Sequence, residues 1–369
     1  MEETMTLAGI FCTNCNYPYP PEGVIYCCPR CGGVFDYQAA IHFDPSQVDR
    51  SQPGMWRFRH TFALPPDLEP VSLGEGNTPL IWVKTLGRQV AFKCEFLNPS
   101  GSFKDRGSSV ITSWLKSKGV NEAIEDSSGN AGASFAAYAA RAMIKARVYV
   151  PESASGPKRR QIEAYGADLV PISGSRTDVA NAAKTEADAG VTYASHAYLP
   201  INLLGYATAA YEIVEQMGQM PGTVVIPAGQ GGLLLGLRRG FDALRIVNES
   251  RNIPRMVAVQ ARLCAPLWHF YVSGSIKQLP GSETRILAEG VQVHDPLRKN
   301  EVAAAIRTSG GLVFLVNEDE ILPARNELAQ LGFYVEPTSA IAWVALTKLI
   351  EKLPDPVVVI LTGSGLKYG

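Results

Sequence analysis

Long apolar runs and an excess of charge are both missing from this 369-residue chain. Apolar residues make up 46% of it, yet no run reaches the roughly 18 residues that a membrane-spanning helix needs. The 34 Lys and Arg residues nearly balance 35 Asp and Glu residues, which gives no indication of a nucleic-acid or membrane partner. The acidic start, Met1 to Thr4, has no signal-peptide pattern. We therefore expect a cytoplasmic protein.

Cysteine is scarce after residue 31, where only Cys94 and Cys264 occur, both in apolar surroundings. We expect these two to be buried packing residues. The other five cysteines lie before residue 32. Disulfide frameworks belong mainly to small secreted domains, so a chain of this length without an export signal is expected to keep its thiols reduced.

Four of the early cysteines form two C-x-x-C pairs, Cys12 with Cys15 and Cys28 with Cys31. Four thiolates complete a tetrahedral zinc shell and leave no open position, so residues 8–37 are predicted to be a zinc ribbon with a structural zinc. The alternative is a pair of redox motifs, but the βαβ context of such motifs is missing. Cys27 is adjacent to Cys28 and could compete for the metal.

Residues 38–72 are rich in proline and carry Trp56, Phe58 and Phe62, which favours a linker or wrapping arm whose aromatics pack on the main body. From residue 73 strand and helix patterns alternate, which is typical of a parallel sheet covered by helices. The predicted strands are 90–95, 146–151, 168–172, 191–194, 223–227, 256–260, 312–316 and 357–361. The predicted helices are 107–118, 131–141, 158–165, 178–189, 204–217, 233–241, 300–308, 319–331 and 338–352.

One lysine stands between a tight turn and a predicted helix, in the segment 98–107 with the sequence Asn-Pro-Ser-Gly-Ser-Phe-Lys-Asp-Arg-Gly. Ser102 is a candidate helix cap, and Asp105 suits the positive end of the helix dipole. A lysine held at such a boundary can lose its proton and attack a carbonyl, which makes Lys104 a candidate nucleophile. The alternative is an ordinary surface lysine after a loop.

Three further loops carry candidate binding groups after predicted strands. They are 126–134 before a small-residue helix, the glycine turn 229–232, and the segment 362–365 near the end of the chain. In an open α/β sheet such loops meet in one crevice at the carboxyl ends of the strands. The glycine turn can hold an anion, but it lacks the features of a P-loop and of a dinucleotide fingerprint.

With these motifs the chain resembles the threonine synthase family of fold-type II pyridoxal-phosphate enzymes. The resemblance runs through the segments 73–80, 98–107, 128–131, 229–232 and 361–367, and covers residues 73–367. It implies an α/β fold, a tryptophan synthase β-like two-domain parallel-sheet core, here preceded by the zinc ribbon. The large cofactor-binding domain would comprise 73–97 plus 206–369, and the small mobile domain 98–205. A homodimer and pyridoxal 5′-phosphate as cofactor are also implied.

The resemblance implies a role for each matching residue. Lys104 would hold the cofactor and move a proton at the substrate α-carbon. Phe103 would pack on the ring, Asn130 would bind the ring hydroxyl, and Thr362 would meet the pyridine nitrogen. The cofactor phosphate would be bound by Gly229, Gln230, Gly231, Gly232 and Leu233. The substrate carboxylate would be bound by Ser127, Ser128, Gly129 and Ala131.

The reaction implied is that of a carbon–oxygen lyase, in which O-phosphohomoserine and water give threonine and phosphate. That substrate needs cations, yet the segment 197–237 has no Lys or Arg, and Ser364 stands where the family commonly has histidine. Lys158, Arg159 or Arg160 could substitute from another loop. The alternative is elimination or replacement on another amino acid, of the serine/threonine dehydratase or cysteate synthase type.

His196 is the one histidine near these loops, and it is either a substrate-site donor or acid–base group or a hydrogen-bonded loop residue. A rival of another class is a non-catalytic zinc-ribbon interaction protein on a former enzyme scaffold. The presence of Lys104, Asn130 and Thr362 together argues against that rival.

Overall fold

The computed structural model describes residues 9–62, 64–65, 67–153, 156–247, 252–276 and 286–368. Some residues of the predicted regions lie outside these ranges: residue 8 of the ribbon, Ala63 and Pro66 of the linker, residues 154–155 of the small domain, and residues 248–251, 277–285 and 369 of the large domain. The chain forms two compact units, Met1–Glu75 with Lys104–Gly205, and Gly76–Phe103 with Tyr206–Tyr368.

The strands, in chain order, are β1 (Ile10–Cys12), β2 (Phe35–Tyr37), β3 (Leu80–Thr85), β4 (Arg88–Lys93), β5 (Glu122–Glu125), β6 (Lys145–Pro151), β7 (Asp168–Ile172), β8 (Thr192–Tyr193), β9 (Thr223–Pro227), β10 (Arg255–Ala261), β11 (Leu312–Val316) and β12 (Val357–Ile360). The α-helices are α1 (Lys104–Ser117), α2 (Asn130–Ala142), α3 (Pro157–Ala164), α4 (Arg176–Asp188), α5 (Asn202–Met217), α6 (Gly232–Val247), α7 (Pro266–Ser273), α8 (Lys299–Thr308), α9 (Glu318–Gln330) and α10 (Pro337–Leu349). No helix within the described ranges is both long and apolar enough to cross a membrane.

The first unit is built on a parallel sheet with the strand order β7-β6-β5-β8. Its interior strands bury Ala123 and Ile124 of β5 and Val148 and Val150 of β6. Burial on both faces is typical of parallel sheets covered by helices, and it explains the continuous apolar runs in the sequence. The helices α1 and α2 pack against each other in this unit.

The N-terminal segment of the first unit begins with a short antiparallel pair, in which Ile10 of β1 lies opposite Tyr37 of β2. Between these strands, the ring of Tyr26 packs edge-on against Tyr193 at 5.4 Å and Tyr198 at 5.3 Å. Its hydroxyl donates a hydrogen bond to Asp188 at 2.9 Å. Tyr26 therefore attaches this segment to the end of α4, to β8 and to the loop after β8.

A buried carboxylate holds the next segment in place. Glu75 accepts hydrogen bonds from the indole N–H of Trp56 at 2.7 Å, the hydroxyl of Ser109 at 2.6 Å and the hydroxyl of Tyr138 at 2.7 Å. A buried carboxylate needs such donors because its desolvation is otherwise costly. Trp56, Phe58 and Phe62 are all buried, as we expected for aromatics that pack on the main body.

The second unit contains a six-stranded sheet with the order β11-β10-β9-β12-β4-β3. All neighbours pair in parallel except β3 and β4, which are antiparallel. Its core combines β-branched residues from the central strands with the apolar helix α10, which includes the mostly buried Trp343. The predicted α/β fold with parallel sheets is confirmed.

The start of one helix was predicted wrongly, and two elements of the structure were not predicted. Helix α1 begins at Lys104 rather than at residue 107, so the candidate nucleophile is itself a first-turn residue. Strand β3 was missed because its side chains are largely exposed at a sheet edge and leave no apolar alternation to detect. Helix α7 was missed because it has only eight residues and no polar face.

Candidate active site

Three loops leave the same edge of the six-stranded sheet in the second unit. Strand β12 lies between β9 and β4 and runs parallel to both. In the chain, the segment 94–103 follows β4, the segment 361–364 follows β12, and the glycine turn follows β9. Because the three strands are parallel neighbours, these three segments begin side by side. This order places Phe103, Thr362 and the glycine turn at one carboxyl edge, where ligands of open α/β sheets bind.

The segment before Lys104 is hydrogen-bonded to the end of β12. The backbone N–H of Phe103 donates to the carbonyl of Thr362 at 3.0 Å, and that of Ser364 donates to the carbonyl of Gly101 at 2.9 Å. The ammonium group of Lys367 donates to the carbonyl of Ser100 at 2.8 Å. Lys104 is the next residue after Phe103 in the chain, so these bonds determine where its backbone begins.

The hydroxyl of Thr362 lies in a small hydrogen-bond network. Its Oγ1 is 2.9 Å from Oγ of Ser339 in α10, and the N–H of Gly363 donates to the same Ser339 oxygen at 2.9 Å. Ser339 therefore orients the side chain predicted to meet the pyridine nitrogen. Sequence reasoning missed Ser339 because it lies in the middle of an apolar helix, 23 residues before Thr362.

The glycine turn is followed directly by α6, which begins at Gly232. Gly231 has φ +78°, and a Cβ there would lie 2.5 Å from Cγ2 of Val302, so both the backbone angle and the packing require glycine. The side chain of Gln230 accepts a hydrogen bond from the N–H of Leu297 at 3.1 Å. Backbone N–H groups in the first turn of a helix have no partner within the helix, so this turn can bind an anion such as a phosphate.

In the first unit, Lys104 is the first residue of α1 and is half-buried, with its amine at the buried end of the side chain. Burial lowers the pKa of its amine to about 8, and the nearby Glu125 carboxylate opposes this shift. An ordinary lysine has a pKa near 10.5. Close to neutral pH, a much larger fraction of Lys104 is therefore uncharged and able to attack a carbonyl.

The candidate carboxylate-binding residues 127–131 lie between β5 and α2. The hydroxyl of Ser127 accepts a hydrogen bond from the N–H of Gly129 at 3.2 Å. Asn130 is the first residue of α2, and Ala131 behind it is buried. A Cβ at Gly132 would lie 1.8 Å from the carbonyl oxygen of Ser127, so only glycine allows α2 to approach this loop. The backbone N–H groups in the first turn of α2 can donate to an anion, so carboxylate binding at this loop stays a prediction.

His196 is paired with a carboxylate that sequence reasoning missed. Its Nδ1 is 2.7 Å from Oε1 of Glu125, and its backbone N–H donates to Oε2 of the same residue at 3.1 Å. Burial raises the pKa of Glu125 to about 7. Next to it, Asp126 forms a 2.6 Å ion pair with Arg176.

The four cysteines of the C-x-x-C pairs come together in the N-terminal segment. Their Sγ atoms lie within 4.8 Å of one another, with 3.5 Å between Cys12 and Cys31 and 3.7 Å between Cys15 and Cys28. Zn–S bonds of about 2.3 Å in a tetrahedron place sulfur atoms about 3.8 Å apart. The four sulfurs therefore fit a zinc ion. Cys94 and Cys264 are buried, as expected.

The structure thus groups the predicted residues within each unit. In the second unit Phe103, Thr362 and the turn 229–233 share one sheet edge. In the first unit the loop 127–131 and His196 follow the neighbouring strands β5 and β8, and the charge of Lys104 affects the pKa of both Glu125 and His196. Pyridoxal phosphate requires an amine that can react with its aldehyde, a turn that can bind its phosphate and a partner for its ring nitrogen, and the residue types found in the first unit for the amine and in the second unit for the other two fit that chemistry.

Comparison with known proteins agrees with this chemistry. Residues 71–363 match the family described as pyridoxal-phosphate dependent enzyme. A threonine synthase of Methanosarcina acetivorans is 31% identical over 373 residues, covering 96% of this chain and 91% of that protein. A threonine synthase of Synechocystis sp. is 35% identical over 308 residues, covering 80% and 78%.

The fold is shared with solved structures as well. The crystal structure of a threonine deaminase from T.th. superposes with a TM-score of 0.68 at 25% identity. The superposition covers 79% of this chain and 94% of that one. The fold is accordingly that of the fold-type II pyridoxal-phosphate enzymes.

The lowered pKa of Lys104 is directly measurable. With lysines converted to ¹³C-dimethyl-lysine, the Lys104 signal of the cofactor-free protein is expected to titrate with a midpoint near pH 8, because burial disfavours the ammonium form. The Lys104→Arg variant assigns the signal by removing it. Glu125→Gln is expected to shift the midpoint to still lower pH, since the carboxylate favours the charged amine. A midpoint near 10.5 in the native protein would contradict this account.

Proposed function

The chain belongs to the family of pyridoxal-phosphate-dependent enzymes, and we propose that within it the protein is a threonine synthase-like carbon–oxygen lyase. The proposed reaction converts O-phosphohomoserine and water to threonine and phosphate. Support comes from threonine synthases of 31% and 35% identity that match most of the chain. The single observation that carries the proposal is the backbone hydrogen bonding of residues 101–103, which precede Lys104, to the end of β12. Strand β12 lies beside β9, which leads into the glycine turn.

Pyridoxal phosphate, when bound, supplies an aldehyde that condenses with amines and a ring that withdraws electrons from the substrate α-carbon. We propose that Lys104 holds the cofactor and carries a proton to and from the α-carbon. The N–H groups of residues 229–233 bind its phosphate. Phe103 packs against the ring, and Asn130 hydrogen-bonds the ring hydroxyl.

Thr362 determines how strongly the ring withdraws electrons. A hydroxyl at the pyridine nitrogen does not favour the protonated ring as a carboxylate would. The contact with Ser339 allows Thr362 either to donate to or to accept from a ligand, because either hydroxyl of that pair can be the donor. Such a neutral partner suits elimination and replacement better than reactions that need a fully protonated ring.

The substrate carboxylate is proposed to bind at residues 127–131, at the first turn of α2. A substrate phosphate also needs a cation, because a desolvated phosphate without one is costly. Of the cations suggested from the sequence, Arg159 lies 3.5 Å from Glu163. Arg176, which sequence reasoning did not consider, is joined to this loop through Asp126. We propose Arg176 as the cation that meets the substrate phosphate.

A second candidate keeps the cofactor and changes the substrate. The segment 197–237 has no Lys or Arg, and Ser364 replaces a histidine common in the resembled family. These departures favour a substrate with a smaller leaving group, as in elimination or replacement on serine or threonine. Phosphoserine or a related amino acid is a further alternative substrate. The domain division expected from the sequence, a homodimer and a cytoplasmic location belong to the same proposal.

Phosphate release separates the two candidates. Holoenzyme given O-phosphohomoserine is expected to release phosphate and threonine in equal amounts, and Lys104→Ala is expected to abolish the reaction, because its methyl group can neither hold the cofactor nor move a proton. Lys116→Ala, in the exposed part of α1, is the matched control and is expected to keep full turnover. Formation of 2-oxobutyrate or pyruvate from threonine or serine, without phosphate release, would reject the leading candidate.

We also propose a structural zinc at Cys12, Cys15, Cys28 and Cys31, supported by the sulfur distances. In Cys28→Ser, metal analysis is expected to show loss of zinc, and residues 9–37 are expected to become sensitive to proteases. The cofactor absorbance is expected to persist, because the cofactor residues lie elsewhere in the chain. Cys27→Ser, one residue away, is expected to keep the metal. Equal zinc content in the two variants would contradict this ligand set.

A further inference from the structure

The pair formed by Glu125 and His196 has no role in the proposed function so far. Both ends of the Glu125 carboxylate are directed at His196, one to the ring Nδ1 at 2.7 Å and one to the backbone N–H at 3.1 Å. The Glu125 side chain is only 1% exposed, whereas that of His196 is 17% exposed. The carboxylate is therefore a buried support, and the imidazole is the part that a ligand can reach.

Contacts with the residues on either side limit the movement of the loop that carries this histidine. The side-chain amide of Asn202, in the first turn of α5, donates to the carbonyl of His196. Two residues further, Tyr198 packs on Tyr26 of the N-terminal segment. The loop after β8 is thus braced on both sides, and the ring orientation is set by Glu125.

The electrostatic surroundings keep the ring neutral. Burial and the positive charge of Lys104 lower the pKa of His196 well below its usual value. The other groups facing the pair are Arg176 from α4, Asp126 after β5 and Tyr193 of β8. When Glu125 is ionised, a neutral ring donates Nδ1–H to it, and Nε2 carries a lone pair. Among the described residues no group is hydrogen-bonded to Nε2.

We propose that His196, oriented by Glu125, exchanges a proton with the oxygen bound to the side-chain carbon of the amino-acid substrate. The inference rests on the proposed function and deepens it, since Lys104 serves the α-carbon and a second group is needed further along the substrate. It names His196 as a catalytic residue and Glu125 as a positioning residue. The arrangement is that of a general base, His196, whose ring is oriented by a hydrogen-bonded carboxylate, Glu125.

The proton balance is simple. When water attacks, its O–H bond breaks, the proton moves to Nε2, and an electron pair of the oxygen forms the new bond to carbon. The π bond between this carbon and the α-carbon is lost in the addition, and its electron pair takes up at the α-carbon the proton that Lys104 is proposed to carry. The resulting imidazolium is stabilised by the Glu125 carboxylate through Nδ1–H. In the reverse direction the C–O bond breaks, its electron pair stays on the leaving oxygen, and Nε2 returns the proton to it. Lys104 takes the proton from the α-carbon, and the electron pair of that C–H bond forms the carbon–carbon double bond. No oxidant, reductant or further reactant is needed.

The first test needs no turnover. Nitrogen NMR of the imidazole in the cofactor-free protein at about pH 8 is expected to show His196 with the proton on Nδ1 and none on Nε2. In Glu125→Gln this preference is expected to be lost or reversed. Glu122→Gln, at the other end of the same strand and paired with Arg147, is the matched control and is expected to leave the His196 signals unchanged. A proton on Nε2 at that pH in the native protein would overturn the proposal.

The second test uses the holoenzyme. His196→Asn, whose amide can still bond to Glu125, is expected to lower kcat by roughly 100-fold with KM little changed, the size typical of a lost acid–base group. Glu125→Gln is expected to lower kcat by about tenfold and to move the acid limb of the pH profile to lower pH, since the imidazolium loses its partner. In His196→Gly, added imidazole is expected to restore activity, which a purely structural role does not predict.

The outcomes separate this inference from the proposed function. If the native enzyme releases no phosphate from O-phosphohomoserine, the proposed function fails, and the variants are then measured on whichever of serine, threonine or phosphoserine the enzyme converts. Unchanged kcat in His196→Asn on the converted substrate would overturn the role of His196. Loss of cofactor absorbance in both His196→Asn and Glu125→Gln, without imidazole rescue of His196→Gly, would show that the pair only supports the fold.

Discussion

The backbone bonding between residues 101–103 and 362–364 is the constraint on which the site depends. Phe103 donates to Thr362, and Ser364 donates to Gly101, so two segments from distant parts of the chain form one short antiparallel bridge. Lys104 begins its helix immediately after this bridge. These bonds therefore hold the residue that precedes Lys104 in the chain at the end of β12. Without these hydrogen bonds the backbone before Lys104 would sample more conformations, and fixing it would cost conformational entropy.

Burial then gives these groups their chemistry. Low local polarity disfavours every charge, so the pKa of Lys104 falls to about 8 while that of Glu125 rises to about 7. The two groups partly compensate each other, since an amine and a carboxylate each favour the charged form of the other. His196 stays neutral, because burial and the charge of Lys104 lower its pKa. A site whose groups titrate close to neutral pH can pass protons in either direction at little cost.

Much of this could be read from the sequence, and the omissions have physical causes. Lys104, Thr362 and the glycine turn stand in local motifs next to strong strand patterns. Because the carboxyl ends of parallel strands lie at one edge of a sheet, the segments that follow such strands could be predicted to lie there. Glu125 and Ser339 were missed because their importance lies in contacts across the fold, to residues 71 and 23 positions away. The start of α1 was placed too late because helix patterns define interiors better than first turns.

The central claim is that the amine of Lys104, which follows this bridge in the chain, is the one that binds the cofactor. Borohydride reduction of the holoenzyme, followed by peptide mapping, tests it most directly, because reduction makes the bond between lysine and cofactor permanent. The account predicts a single labelled site at Lys104. A label on another lysine, or no label on a protein that shows bound cofactor, would contradict it.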